Sequence, residues 1–358
     1  MEIFKRMKEQ GYEKLVFAYD KNTDMKAISC IHDSTLGPSF GGTRLWNYAT
    51  EDEALNDVFR LARGMTYKNS VAGLDAGGCK NVIIGDPSKI KNEALLRAYG
   101  RHIQSMNGQI NTGEDVNINE KDVAYMTLES SYLAGRADKL GNPSPTTALG
   151  VFYGVKASVY EVFKTNDLSN LTFAIQGVGA CGYNLAKHLR DAKAKKIYFS
   201  DINKDNIKRF KTEFPDAVLV KPEEYYSLDV DVLCPCAMGG MLNPKTIPTI
   251  KAKIIAGSAN NILEDEKRDG DALMKKKILY APDFVINGAG VIHVYYEYKN
   301  CDMTKVLSEV EKIYERLLMI FAISKKEKVN TQIAALTYAQ RRIDLLGEIH
   351  KAYIGEKK

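Results

Sequence analysis

The sequence predicts an α/β protein of two domains, the second built on a doubly wound parallel sheet. Three observations carry this. A chain of 358 residues is too long for one ordinary hydrophobic core and suits two. Gly141-Asn142-Pro143-Ser144-Pro145 interrupts it, because closely spaced prolines oppose helix and mark a boundary just before a helix starting near Thr146. Beyond that break, short apolar runs alternate with helical patterns, which is how a parallel sheet covered by helices is written.

In the first part, residues 14–20 and 26–32 read as strands around the turn-forming Lys21-Asn22-Thr23-Asp24. The glycine density of Leu36-Gly37-Pro38-Ser39-Phe40-Gly41-Gly42-Thr43-Arg44 marks a close approach of backbone to a ligand or a neighbouring segment. Thr50-Glu51-Asp52-Glu53 is a capping box, opening a helix with Ala54, Leu55, Val58, Leu61 and Ala62 on one face, and Lys68 follows. Gly77-Gly78-Cys79-Lys80 then turns into the apolar run Val82-Ile83-Ile84. A second helix, carrying Ala94, Leu95, Ala98, Tyr99 and Ile103, delivers the chain to Thr112-Gly113-Glu114-Asp115.

Two lysines and a carboxylate are thereby set among small residues. Lys80 lies where a tight turn enters a strand. A lysine in a poorly hydrated pocket beside another cation gives up its proton more readily and can act as a base, and Lys68 is the candidate neighbour. A structural ion pair would use the same residue types.

In the second part, strands are expected over residues 171–176, 196–200, 217–220, 230–233, 253–256 and 278–280. Gly177-Val178-Gly179-Ala180-Cys181-Gly182 closes the first of these and precedes the helical pattern Leu185, Ala186, Leu189. Asp201 closes the second. Gly177, Val178, Gly179 and Gly182 let the backbone reach a pyrophosphate at a helix N-terminus, and Asp201 stands where a carboxylate accepts ribose hydroxyls. Asp201 would repel a 2′-phosphate and no arginine follows at once, so NAD is expected over NADP. The loops at residues 256–261 and 285–290 follow apolar strands and should face the nicotinamide, or are simply tight turns. Val306, Val310, Ile313, Leu317 and Phe321 recur at the spacing of a packing helix.

Hydrophobic residues make up 45% and charged residues 27%, and the net charge of +5 is spread rather than clustered, which argues against nucleic acid as a partner. Lys325-Lys326-Glu327-Lys328 and Gly355-Glu356-Lys357-Lys358 read as solvated helix ends. No window reaches the roughly 18 apolar residues of a membrane span. Met1-Glu2-Ile3-Phe4-Lys5-Arg6 lacks the apolar segment of a signal peptide, so a cytoplasmic location is expected. The six cysteines have no zinc-ribbon spacing and are expected as buried free thiols; Cys234-Pro235-Cys236 is not a Cys-x-x-Cys pair. The five histidines form no H-E-x-x-H pattern, and no metal is expected.

The stretches 36–44, 63–69, 77–80, 114–115, 142–150, 234–237, 256–261 and 280–287 together resemble the glutamate, leucine, phenylalanine and valine dehydrogenases, most closely the leucine dehydrogenase branch. The resemblance implies a substrate domain over residues 1–140, a Rossmann domain over 141–324, a segment 325–358 returning to the first domain, and an active site in the cleft between them. It implies a homo-oligomer acting on a small-molecule amino acid and its 2-oxo acid with NAD. By position, Lys68 resembles the lysine that binds the substrate carboxylate, Lys80 the catalytic lysine that activates water, and Asp115 the carboxylate that handles the amine protons. Thr147, Ala237, Asn261 and Asn287 join the cofactor residues. Phe40, Gly41, Gly42, Gly113, Val291 and Val294 line the substrate side.

Within that resemblance, Phe40 is larger than the usual leucine and offers a ring, while Gly113 in place of alanine is expected to open room. Cys79 stands where a third glycine is usual and is expected to add bulk beside Lys80. The implied reaction is oxidative deamination of a leucine-type substrate, with an aromatic amino acid as the alternative and a non-catalytic NAD-binding protein as the less favoured reading.

Overall fold

The computed structural model describes residues 2–135 and 139–350; the tail expected as a solvated helix end lies outside them. The chain divides into two compact units. The first comprises Met1–Asn142, His293–Met303 and Ala339–Lys358, and the second Pro143–Ile292 and Thr304–Tyr338.

The sheet of the first unit contains β1 (Lys14–Asp20), β2 (Met25–Asp33), β3 (Ser39–Phe40), β4 (Thr43–Trp46), β5 (Gly77–Ile84) and β6 (Ile110–Asn111). Its order is β1-β2-β5-β3-β6, with β4 also paired to β5. The β1–β2 turn forms because Asp20 Oδ1 accepts the backbone N–H of Asn22 and Thr23 at 3.1 and 2.9 Å. Thr50 caps the helix Glu51–Val71 through Glu53 N–H. Glu53 replies to the N–H of Ala49, one residue earlier than a reciprocal box would reach.

Strand alternation sorts the core into two layers. Ile28, Cys30 and Val82 meet Ala54, Leu55, Val58, Phe59 and Ala62 of the long helix. Met25, Ala27, Ile31, Leu45, Cys79 and Ile83 meet Leu95, Leu96, Tyr99 and Ile103 of the helix Glu93–Ser105. Burying apolar side chains of this size contributes about 1.5–3 kcal/mol each.

The second unit has six strands, β7 (Thr172–Gln176), β8 (Lys196–Ser200), β9 (Val218–Leu219), β10 (Val232–Pro235), β11 (Ile254–Ile255) and β12 (Leu279–Tyr280). All are parallel in the order β12-β11-β10-β7-β8-β9. The order reverses between β7 and β10, the switch point where ligands of doubly wound sheets bind. The pattern from Val306 to Phe321 proves to be two helices, Met303–Glu311 and Ile313–Glu327. The last helix, Thr331–His350, crosses the division: Thr331 Oγ1 donates to Tyr280 O in the second unit, while the carbonyl of Ala339 accepts from Ser70 in the first. The segment assigned to the first unit therefore begins at Ala339 rather than near residue 325.

Candidate active site

Three backbone segments of the first unit converge. β3 and β4 pair with one side of β5 in succession, Phe40 opposite Gly78 and Thr43 opposite Asn81, with Gly41 and Gly42 between. A Cβ at Gly41 would lie 1.7 Å from Cys79 O, so no side chain fits there. One at Gly42 would lie 2.5 Å from Glu114 O and 3.0 Å from the Cβ of Asp115. Thr43 N–H donates to Gly113 O at 2.9 Å, completing the third segment. These glycines are spacers that let Lys80 and Asp115 approach.

Lys80 is 5% exposed, and its Nζ lies 2.8 Å from Asp115 Oδ1. The other carboxylate oxygen, Oδ2, accepts from Arg44 Nε at 2.9 Å. Burial pushes the Asp115 carboxyl upward, but Lys80 and Arg44 outweigh it and hold it down at about 2. Arg44 reaches further, donating Nη1 to Asp57 Oδ2 at 2.7 Å. Asp57 also accepts from Tyr48 Oη at 2.7 Å and Arg60 Nη2 at 2.9 Å. Arg44 is thus a cation beside the pair, a residue quoted within the glycine-rich stretch but given no role by the sequence. Lys68 is half-buried in the last turn of the helix Glu51–Val71. Its neighbour Asn69 ties that helix to Phe40 O at 3.1 Å and Gly77 O at 2.6 Å.

Two expectations are corrected here. Cys79 adds no bulk beside Lys80: successive strand residues face opposite ways, and Cys79 is fully buried in the layer under Tyr99. Gly113 does not open room either, because the place of its Cβ lies 2.5 Å from the main-chain oxygen of Ala134. The parallel bridge of Thr112 to Leu133 brings that backbone in.

Phe40 is buried, and its ring meets the edges of Tyr295 and Tyr298 at centroid distances of 5.3 and 5.1 Å. Both belong to the helix Ala289–Tyr298 that carries Val291 and Val294. Val294 lies in the first unit and Val291 in the second. The three-residue spacing of the two tyrosines was the signal available for them.

In the second unit, Gly177 sits at φ +84°, and a Cβ there would lie 2.7 Å from the Cβ of Ala237. A Cβ at Gly182 would lie 2.0 Å from Gly177 O, which seats the helix Ala180–Asp191 tightly on its strand. At Gly179 a Cβ meets nothing within 4 Å, and this residue caps the helix without a side-chain bond. Backbone N–H groups at such a helix start suit a pyrophosphate. Asp201 Oδ2 accepts Val178 N–H and Oδ1 accepts Asn203 N–H, both at 2.8 Å. Arg209 donates to Val178 O at 3.0 Å from within the helix Lys204–Glu213, a cation too far along the chain from Asp201 for its spacing to signal.

Asn287 donates to Asn260 Oδ1 at 2.9 Å, and its own Oδ1 is buried without a partner among the described residues. Asn261 sits at φ +52°, and Thr147 Oγ1 lies 2.7 Å from where a Cβ of Gly290 would be. Glycine cradle, carboxylate and spare amide acceptor fit a dinucleotide. Among the described residues no cluster of three or more His, Cys, Asp or Glu is placed to hold a metal, and no helix is long and apolar enough to cross a membrane.

Fold and side chains define an amino acid dehydrogenase of two α/β domains. The chain belongs to the Glu/Leu/Phe/Val dehydrogenase family: residues 14–132 match its dimerisation domain, and residues 202–344 match the glutamate/leucine/phenylalanine/valine dehydrogenase domain. It is 45% identical over 357 residues to the leucine dehydrogenase of Geobacillus stearothermophilus, spanning 99% of this chain and 96% of the relative. It is 46% identical over 344 residues to an L-tryptophan dehydrogenase of Nostoc punctiforme, spanning 96% and 97%. The crystal structure of L-tryptophan dehydrogenase from Nostoc punctiforme superposes with a TM-score of 0.85 at 44% identity, covering 96% of this chain and 99% of that one.

Proposed function

We propose that the protein catalyses NAD-dependent oxidative deamination of a leucine-type L-amino acid to its 2-oxo acid and ammonia, and the reverse reductive amination. The observation that carries this is the pairing of buried Lys80 with half-buried Asp115 at 2.8 Å, on the same unit as Lys68. Lys68 binds the substrate carboxylate as cation to anion. Asp115 takes a proton from the substrate amine, which frees its lone pair. Thr147, Gly177, Val178, Gly179, Gly182, Asp201, Ala237, Asn261 and Asn287 would hold NAD, which would supply the acceptor for the hydride of the substrate carbon. Lys80 takes a proton from water as the oxygen adds to the imino carbon; Asp115 returns its proton to the nitrogen, and the C–N bond breaks as the new hydroxyl gives up its proton to form the oxo group and ammonia leaves.

Phe40, Gly41, Gly42, Val291 and Val294 form the apolar side of the substrate site, so a second carboxylate on the substrate would go unpaired. A leucine substrate agrees with the relative from Geobacillus stearothermophilus. An aromatic substrate is the second reading, favoured by the Phe40, Tyr295 and Tyr298 rings and by the relative named for tryptophan. NADH formation at alkaline pH with leucine, valine, isoleucine, phenylalanine, tryptophan and glutamate decides between them. Leucine turning over fastest supports the first reading, tryptophan or phenylalanine the second, and glutamate overturns both.

The reading extends to a homo-oligomer, supported by the match to a dimerisation domain. Light scattering at assay concentration tests it, and a monomer refutes it. A cytoplasmic location follows from the pools of amino acid and dinucleotide that the reaction draws on.

A further inference from the structure

We propose that Arg44 is a positioning residue for the deamination chemistry, holding Asp115 aligned and charged while Lys80 exchanges its proton. The inference rests on the roles of Lys80 and Asp115 given above. Each oxygen of Asp115 faces one cation: Oδ1 faces Lys80 on β5 at 2.8 Å, and Oδ2 faces Arg44 on β4 at 2.9 Å. The two cations differ in kind. An ammonium can lose its proton, whereas a guanidinium stays charged at any pH an enzyme meets. Arg44 therefore keeps a permanent counter-ion beside Asp115.

Arg44 is itself held from behind. Its Nη1 donates to Asp57 of the helix Glu51–Val71, whose carboxylate also accepts from Arg60 on the same helix and from Tyr48 on the turn after β4. Asp57 is held below the usual carboxylate range: burial opposes this, but the Tyr48 hydroxyl, Arg44 and Arg60 outweigh it. It therefore stays an anion under Arg44. Among the described residues, the groups hydrogen-bonded in a chain to the pair are thus Arg44, Asp57 and Arg60, with the Tyr48 hydroxyl. A fixed guanidinium with both hands engaged loses little freedom on turnover, which is the condition for orienting another side chain.

Arg44 is one of the two cations that hold the Asp115 carboxyl low. A permanent cation there disfavours a proton on Asp115, and removing it lets that proton be held to higher pH.

The test is the pH profile of kcat/KM for amino acid oxidation in wild type, Arg44→Met and Asp57→Asn, with NADH binding followed by fluorescence. Arg44→Met is expected to move the acid limb up by about one pH unit or more, with activity below the limb falling about tenfold per unit, and NADH affinity unchanged. Arg44→Lys, which keeps a charge but not the fork, is expected to return the limb toward wild type at reduced kcat. Asp57→Asn is expected to lower kcat severalfold without moving the limb upward.

An Arg44→Met enzyme with an unmoved limb overturns the proposal. So does Asp57→Asn at wild-type kcat, a test that stands even if Arg44→Met does not fold. Absence of amino acid oxidation in the wild type would instead overturn the functional reading itself.

Discussion

Asp201 accepts the backbone N–H of Val178 through Oδ2 at 2.8 Å, between the carboxyl ends of the first two strands of the second unit. The same carboxylate that is read as the ribose acceptor therefore also shapes the glycine loop. Arg209 grips the carbonyl of the same residue at 3.0 Å, so Val178 is held at both of its main-chain groups.

Asp201→Ala should accordingly do more than relax the choice between NAD and NADP. Loss of a hydrogen bond to a charged group costs about 1.5–3 kcal/mol, so the KM for NAD should rise roughly tenfold to a hundredfold. NADP should suffer less, because the repelling carboxylate is gone. Steady-state kinetics with each dinucleotide measure both, and an unchanged NAD to NADP ratio would count against Asp201 as the ribose reader.

Lys80→Ala should lower kcat by on the order of a hundredfold to ten-thousandfold, the usual cost of removing a general base. NADH binding, proposed for the second unit, should persist. Lys68→Ala should act chiefly through the KM for amino acid, because its ion pair is made in ground and transition states alike. Near-normal kcat in Lys80→Ala would remove the lysine from the mechanism.

Gly113→Ala should destabilise the protein by about 1–3 kcal/mol, the range for forcing extra atoms into a packed site. Its methyl would meet Ala134 O at 2.5 Å, which is backbone and cannot swing aside. Activity should fall on leucine and phenylalanine by similar factors. A selective loss on aromatic substrates, with an unchanged melting temperature, would restore the pocket role expected from sequence.

Phe40→Leu should shift preference toward leucine and away from aromatic substrates, because it removes the ring that Tyr295 and Tyr298 pack against. Ratios of kcat/KM for leucine and phenylalanine check this. A ratio that moves the other way would mean that Phe40 only narrows the site.

Acid stability should carry the signature of Asp115. Its carboxyl is held at about 2 in the folded protein against an ordinary 3.8, so the stabilisation is fully present above 3.8 and is lost as pH falls through about 2. Urea midpoints measured across that window should fall less steeply with decreasing pH in Asp115→Asn than in wild type. Equal slopes would show that Asp115 takes up no extra proton on unfolding.

The second unit was legible in the sequence because its signals are local. Six apolar runs, a glycine motif at a strand end and Asp201 at the end of the following strand each lie within a few residues of what they specify. The hairpin at Asp20 and the helix capped by Thr50 were legible for the same reason. Tertiary structure alone decided what surrounds Lys80. Arg44, Asp57 and Asp115 come from β4, the helix after it and the loop after β6, so their meeting depends on sheet order and on glycine contacts that no spacing reveals. It likewise turned Cys79 into the core and set Ala134 against Gly113, because strand alternation and backbone neighbours fix where a Cβ points. Residue types determined the chemistry available; only the packing of distant backbone segments determined which charges act as a unit.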